Sequence, residues 1–213
     1  KSITYDENHT SGTNNSTEEF KDKQGRVVMK RTYNAGIAHD TYYVYDDFGN
    51  LTYVLPPKAE PQTAIPDANK LAELCYQYKY DQRNRLVEKK IPGKGWESIV
   101  YNKLDQPIMT QDDNLKAQGK WLFTKYDVLG RVAYTGIKTG TTRYAEQTAA
   151  DGTTSQWVLR SAGTVTIGGA TTYYNENATY PIITASGPET ITINYYDDYV
   201  DINGGTKPVT VYT

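Results

Sequence analysis

The stretch Tyr43-Val44-Tyr45-Asp46-Asp47-Phe48-Gly49-Asn50-Leu51 decides the fold, because it joins an aromatic strand, a turn and the start of a second strand. Asp is favoured at the first position of a type I turn, where its carboxylate can accept backbone N–H groups two residues further on. Gly49 then stands where the chain needs a positive φ, as in a hairpin closed by a type I turn and a glycine bulge. The stretch therefore predicts a β-hairpin.

The same pattern recurs in four further copies. The first positions of the turns are Asp22, Asp46, Asp81, Asn102 and Asp127, and the fourth positions are Gly25, Gly49, Asn84, Asp105 and Gly130. Asn84 and Asp105 replace glycine, and both residue types tolerate positive φ better than most. A degenerate sixth copy is predicted at residues 195–199. We expect all these residues to act structurally, as the turns of repeated hairpins.

The spacing of the copies predicts the fold class. One copy follows another at intervals of about 20 to 25 residues, with a longer interval after the second copy. A single hairpin is marginally stable in water, so successive hairpins are expected to pair edge to edge. Sheets twist with a fixed hand, and tyrosines stack as cross-strand pairs. The prediction is an all-β protein with a curved, twisted antiparallel sheet of repeated hairpins.

Two regions interrupt or extend this ribbon, which is predicted to span residues 1–137. A polar loop occupies residues 5–18, and a proline-rich insertion occupies residues 56–76. Within the insertion, apolar spacing after the capping residue Asp67 predicts one short helix around residues 67–76. Residues 138–213 are rich in Thr and Gly and are predicted to form long hairpins that join the ribbon, or else a small appended β-unit.

The unit Tyr-Asp-x-x-Gly-(Arg/Asn)-(Leu/Val) resembles that of the RHS-repeat or YD-repeat proteins, in particular the large forms of Bacteroidetes. The resemblance covers residues 18–137. It implies a large secreted or cell-surface protein, in some cases cell-wall-associated, whose repeats form a hollow β-shell. In several relatives the shell encloses a toxic C-terminal domain. The chain would then be a wall segment, and its partner would be the rest of a longer parent chain.

Composition argues against several classes of function. The chain has 213 residues, with 23 Lys and Arg against 25 Asp and Glu, so no basic excess favours nucleic acid. No apolar run approaches the length of a membrane-spanning helix. One Cys and two His leave little material for a metal or nucleophilic site, and Cys75 is expected to be a buried small side chain. We expect no cofactor, no metal and no catalytic residue.

Paired carboxylates are the strongest enzymatic alternative. The pairs Asp46/Asp47, Asp112/Asp113 and Asp197/Asp198 could act on glycosidic bonds if two carboxyl groups converged in a cleft. The turn pattern already accounts for Asp46, and the other pairs are interpreted as solvated loops. Residues 197–204 suggest a calcium loop, but Tyr199 and Thr210 stand where the EF-hand pattern needs acidic ligands.

The remaining alternative is a module that binds surface glycans. Trp96, Trp121 and Trp157 could present flat faces to sugar rings, although aromatic side chains on sheets also form ordinary packing. Unpaired sheet edges also predict self-association unless loops cover them. The preferred hypothesis remains a non-enzymatic, extracellular or cell-surface structural segment of a β-shell.

Overall fold

A computed structural model describes residues 1–184 and 187–196 of the chain. The chain folds into two compact units, Lys1–Glu97 and Ser98–Thr213. Strands account for 45% of these described residues and helices for 12%, and the sheet is antiparallel, so the all-β prediction is confirmed. No helix in the described part of the chain is both long and apolar enough to span a membrane.

The first unit contains strands that each pair with the next one in sequence, as repeated hairpins require. They are β1 (Ser2–Tyr5), β2 (Ser16–Lys21), β3 (Val27–Asn34), β4 (Ile37–Tyr45), β5 (Leu51–Leu55), β6 (Tyr76–Tyr80) and β7 (Leu86–Lys90). The loop between β1 and β2 covers residues 6–15, so β2 begins inside the segment that the sequence assigned to a polar loop.

The insertion of the first unit contains the predicted helix. A short 3-10 turn covers Pro57–Ala59, and helix α1 covers Ala68–Leu74. The Asp67 carboxylate caps α1 by accepting a hydrogen bond from the Lys70 amide at 2.8 Å. Cys75 ends the helix and is completely buried, and burial raises the pKa of its thiol. The cysteine therefore packs as a small apolar side chain.

The second unit contains most of β8 (Trp96–Tyr101), which begins at the end of the first unit. Its other strands are β9 (Pro107–Gln111), β10 (Lys120–Tyr126), β11 (Val132–Thr139), β12 (Leu159–Ile167), β13 (Ala170–Asn175) and β14 (Glu189–Ile193). The strands β8 to β11 follow one another in the sheet, and β14 pairs with β11. β12 and β13 form a separate two-stranded sheet. The chain thus leaves the main sheet after β11 and returns to it at β14.

Two helices of the second unit were not predicted. Helix α2 covers Asp113–Ala117, and helix α3 covers Arg143–Asp151. Asp112 and Thr142 cap them by accepting hydrogen bonds from the amides of Leu115 and Ala145. The long-hairpin interpretation of residues 138–213 is therefore wrong for residues 143–151, where a capped run of Ala, Glu and Gln favours helix over strand.

The hydrophobic core lies in the second unit. Alternation along β10 buries Trp121, Phe123 and Lys125 on one face of the strand. The core residues are Val100, Ile108, Met109, Trp121, Phe123, Ala133, Tyr134, Ala150, Val158, Ile167, Tyr174 and Ile183. Several of them come from α3, β12 and β13, so the excursion between β11 and β14 supplies much of this core.

Candidate functional site

The side chain at the first position of each repeat turn organises the turn. Asp127 Oδ1 accepts hydrogen bonds from the amides of Leu129 and Arg131, both at 2.9 Å. Its Oδ2 accepts a hydrogen bond from Arg131 Nε at 2.7 Å. The Gly130 amide donates to the Asp127 carbonyl, and the Asp127 amide donates to the Arg131 carbonyl. One carboxylate therefore ties together both ends of a five-residue turn.

The other four turns repeat this geometry. The corresponding amide contacts of Asp22, Asp46, Asp81 and Asn102 measure 2.8–3.0 Å. The residues at the fourth position all have positive φ, from 57° to 87°. A shift in strand register stands immediately before every turn. The predicted turn residues therefore lie where the turns need them.

The fourth turn shows that the pattern selects complementary hydrogen bonding rather than charge. Asn102 replaces Asp, and Gln106 replaces the Arg that follows four residues later in three of the copies. Asn102 Nδ2 donates to Gln106 Oε1 at 2.8 Å. In the copies with Arg, the later residue is instead the donor and the Asp at the first position is the acceptor. The backbone amides of Leu104 and Gln106 still donate to Asn102 Oδ1, at 3.0 and 2.9 Å.

At the second, third and fifth turns, a tyrosine directly before the turn connects it to the preceding turn, a feature that we did not predict. The hydroxyls of Tyr45, Tyr80 and Tyr126 donate to the carbonyls of Val27, Leu51 and Pro107, at 2.9, 3.0 and 2.8 Å. Each carbonyl belongs to the residue five positions after the start of the preceding turn. The sequence signal was the tyrosine itself, which we interpreted only as a strand residue. We call this contact the tyrosine tie.

The degenerate sixth copy contains the same contact. Tyr196 Oη donates to the carbonyl of Val132 at 3.0 Å, and Val132 lies five residues after Asp127. Residues 197–199 of this copy, and the stretch 197–204 that was compared with a calcium loop, lie outside the described residues. Tyr196 nevertheless occupies the tie position relative to the fifth turn, although helix α3 and strands β12 and β13 intervene in the sequence.

Neighbouring turns also contact each other through side chains. The Arg26 guanidinium lies 4.7 Å from the centre of the Tyr45 ring, and that of Arg131 lies 4.4 Å from the Tyr196 ring. A methyl group on Gly130 would come within 3.1 Å of Gln106 Nε2. Glycine at the fourth position thus provides both the backbone conformation and room for the neighbouring turn.

The described members of the paired carboxylates occupy structural or exposed positions, and Asp47 is exposed. Asp46 bonds to its own turn, and the Asn50 and Phe48 hydrogen bonds outweigh burial, so the pKa of Asp46 is lowered. Asp112 caps α2, and Asp113 lies in the first turn of that helix. Asp197 and Asp198 lie outside the described part. Within the described residues no group of three or more His, Cys, Asp and Glu could hold a metal ion.

The three tryptophans occupy different environments. Trp121 is completely buried and donates from Nε1 to the Thr141 carbonyl at 3.2 Å, so it offers no face to a sugar. Trp96 is half-buried, with the Lys79 ammonium 4.3 Å from its ring centre. Trp157 is also half-buried. Glycan binding by Trp96 or Trp157 stays a prediction.

The second unit buries two ion pairs that sequence reasoning missed. Lys125 Nζ lies 3.0 Å from Glu176 Oε2, and Lys138 Nζ lies 2.8 Å from Glu146 Oε2. The Tyr180 hydroxyl donates to Glu146, and the Thr141 amide donates to Glu146 Oε1 at 2.8 Å. The alternation of Trp121, Phe123 and Lys125 was the signal that the first lysine faces the core.

Comparisons with known proteins give limited information about the chain. No protein-family model and no curated protein sequence matches it. It is similar to a crystal structure of TcdB2-TccC3 at 18% identity and a TM-score of 0.46, over 58% of this chain and 6% of that one. For the structure of TcdB2-TccC3 with Cdc42, the identity is 17% and the TM-score 0.46, over 60% of this chain and 6% of that one. For the structure of TcdB2-TccC3 without its hypervariable C-terminal region, the identity is 16% and the TM-score 0.44, over 64% of this chain and 7% of that one. The chain thus spans a small fraction of these proteins, and TM-scores below 0.5 do not establish a common fold.

Proposed function

We propose that the chain is a non-enzymatic structural segment, a wall built of repeat hairpins. The observation that supports this most directly is the tyrosine tie, which recurs at Tyr45, Tyr80, Tyr126 and Tyr196. Each of the first three ties links one turn to the turn before it, and the fourth joins Tyr196 to the residue that follows the fifth turn, so the repeated residues serve the joining of successive hairpins. Their hydrogen-bonding capacity is used within and between turns, which leaves little for chemistry on a substrate.

The finer proposal is that the wall belongs to a secreted or cell-surface RHS/YD-repeat protein and encloses a C-terminal cargo. It is supported by the Tyr-Asp-x-x-Gly unit and its interval along the chain. Strand pairing between hairpins would form the wall, and the turns would set the order in which hairpins join. The partner is then the rest of the parent chain, and the cargo is a polypeptide domain.

Protease protection of the parent protein tests this function. With the wall intact, we expect the region that follows the repeats to resist protease under native conditions. Combining Asp46→Ala with Asp127→Ala breaks two turns and should make that region cleavable, whereas Asp47→Ala changes an exposed neighbour and should not. If the following region is digested equally fast in the unmodified parent and in isolation, the shell proposal is wrong.

A parallel glycan array distinguishes the adhesion alternative. The shell proposal predicts no specific glycan binding by the purified chain. Specific binding that Trp96→Ala or Trp157→Ala abolishes would instead assign the chain to surface adhesion. Trp121→Ala is unsuitable as a probe because it would empty a large volume in the core.

A further inference from the structure

Lys125 is a buried amine whose position needs an explanation. It lies on the same face of β10 as Trp121 and Phe123, and its side chain is only 2% exposed. Burying an ammonium group is costly unless its partners compensate fully. A buried lysine of this kind is also the form in which the amine becomes nucleophilic, because desolvation favours the neutral state.

The surroundings hold the Lys125 amine against one carboxyl group. Nζ lies 3.0 Å from Glu176 Oε2 and donates to Thr179 Oγ1 at 2.7 Å, to the Thr179 carbonyl at 2.8 Å and to the Pro181 carbonyl at 2.5 Å. The other oxygen of Glu176 accepts a hydrogen bond from the Tyr134 hydroxyl. The segment after β13 and two strands of the sheet therefore fix both reacting groups.

Burial moves the two groups toward their neutral forms. It lowers the pKa of Lys125 to about 8, and it raises the pKa of Glu176 above its ordinary value. Transfer of one proton from Nζ to Oε2 leaves an amine with two N–H donors for Thr179 and Pro181. The proton that moves is the one that Nζ donates to Oε2, so the lone pair left on the nitrogen points toward the carboxyl group of Glu176.

We propose that Lys125 and Glu176 condense into an intramolecular isopeptide bond. Nζ attacks the carboxyl carbon, the C–Oε2 bond breaks, and Oε2 leaves as water with the two protons that the ammonium gives up. The Tyr134 hydroxyl stabilises the negative charge that develops on Oε1. A small cavity beside Lys125, Thr179 and Tyr180 has room for about one water molecule, the product that is released.

The second buried pair provides a contrast within the same unit. Lys138 Nζ lies 2.8 Å from Glu146 Oε2, at least as close as Lys125 Nζ lies to Glu176 Oε2. Burial raises the pKa of Glu146, but the hydrogen bonds from Lys138 and Tyr180 outweigh burial and the pKa is lowered. Glu146 therefore favours the carboxylate form, which resists attack by an amine, and the Lys138 side chain is also less buried, at 15% exposed against 2% for Lys125. The proposal applies to Lys125 and Glu176 and not to Lys138 and Glu146.

Mass spectrometry of the purified chain tests the proposal. After incubation near the pKa of Lys125 and then full denaturation, the intact mass should fall below the sequence mass by one water. Peptide mapping should find a branched peptide that joins residues 125 and 176 and none that joins 138 and 146. A loss of water mapped elsewhere, or an unchanged mass after prolonged incubation, overturns the proposal.

Two variants separate the bond from the fold. Lys125→Arg keeps a cation but removes the primary amine, so the sequence mass should persist. Tyr134→Phe keeps the ring in the core but removes the hydroxyl that contacts Glu176, so the branched peptide should accumulate more slowly than in the unmodified chain. A branched peptide that forms at the unchanged rate in Tyr134→Phe would remove Tyr134 from the mechanism, and one that forms in Lys125→Arg would overturn the assignment.

Discussion

Tyr196 Oη donates a hydrogen bond to the carbonyl oxygen of Val132 at 3.0 Å, although 64 residues separate the two in sequence. The same contact joins Tyr126 to Pro107 over 19 residues. In both cases the acceptor is the fifth residue after the start of a repeat turn. Strand β14 thus pairs with β11 in the way that the first strand of one repeat pairs with the last strand of the preceding repeat. The 64 residues between Tyr196 and Val132 do not change this arrangement.

The tie at Tyr126 should contribute measurably to stability. Tyr126→Phe removes the hydroxyl that donates to the Pro107 carbonyl and leaves the ring in place. A single hydrogen bond of this kind contributes about 0.5–1.5 kcal/mol, so the free energy of unfolding should fall by that amount in urea titrations. Tyr144→Phe, at a ring that is 79% exposed, is the matched control and should change little.

The exchanged pair in the fourth turn predicts a rescue in the fifth. Asp127→Asn places amide hydrogens against the Arg131 guanidinium and should destabilise the chain by about 1–3 kcal/mol. Adding Arg131→Gln recreates the Asn102–Gln106 arrangement and should recover part of that loss. A double-mutant cycle should give a coupling of about 0.5–3 kcal/mol. Strictly additive effects would mean that the two side chains do not recognise each other.

Gly130, the glycine of the fifth turn, should not tolerate replacement by alanine without a loss of stability. It has a φ of 77°, and a methyl group there would lie 3.1 Å from Gln106 Nε2. Gly130→Ala is expected to lower the free energy of unfolding by about 1–2 kcal/mol, because Ala is strained in the left-handed region. In the control Gly163→Ala, the added methyl group meets nothing within 4 Å, so the free energy of unfolding should change little. Equal shifts for both variants would contradict the turn assignment.

Acid should weaken the first unit through Asp40. The bidentate hydrogen bonds from Arg31, at 2.6 and 2.8 Å, lower the pKa of Asp40. The folded state therefore binds the Asp40 proton less tightly than the unfolded state does. The stability that the Arg31–Asp40 pair contributes is complete above the ordinary pKa of 3.8, and it is lost as the pH falls through the lower pKa of Asp40 in the folded chain.

Urea titrations at a series of pH values check this dependence. The unmodified chain should lose stability below about pH 4, and Asp40→Asn should lose less over the same range. Asp47→Asn, at an exposed residue of the second turn, should follow the unmodified chain. An identical acid response in Asp40→Asn would show that the Arg31–Asp40 pair does not contribute.

Features set by neighbouring residues could be predicted from the sequence. The turn at Asp46 and Gly49 depends on five consecutive residues, and the helix after Asp67 depends on one cap and one apolar face. The tyrosine tie and the return of the chain at β14 depend on register between distant strands. The composition around Arg143–Asp151 suggested hairpins, and the cap at Thr142 was overlooked. The burial of Lys125 was not predicted, although it shares a strand face with Trp121 and Phe123, and its partner Glu176 is 51 residues away in sequence.

The most direct test of the repeat account is a crystal structure of the purified chain at a resolution that fixes the tyrosine hydroxyls. The account predicts that Tyr45, Tyr80, Tyr126 and Tyr196 each donate to the carbonyl of the fifth residue after the preceding turn begins, with oxygen–oxygen distances near those found here, 2.8–3.0 Å. Hydroxyls that point to solvent, or a strand β14 that does not pair with β11, would contradict it.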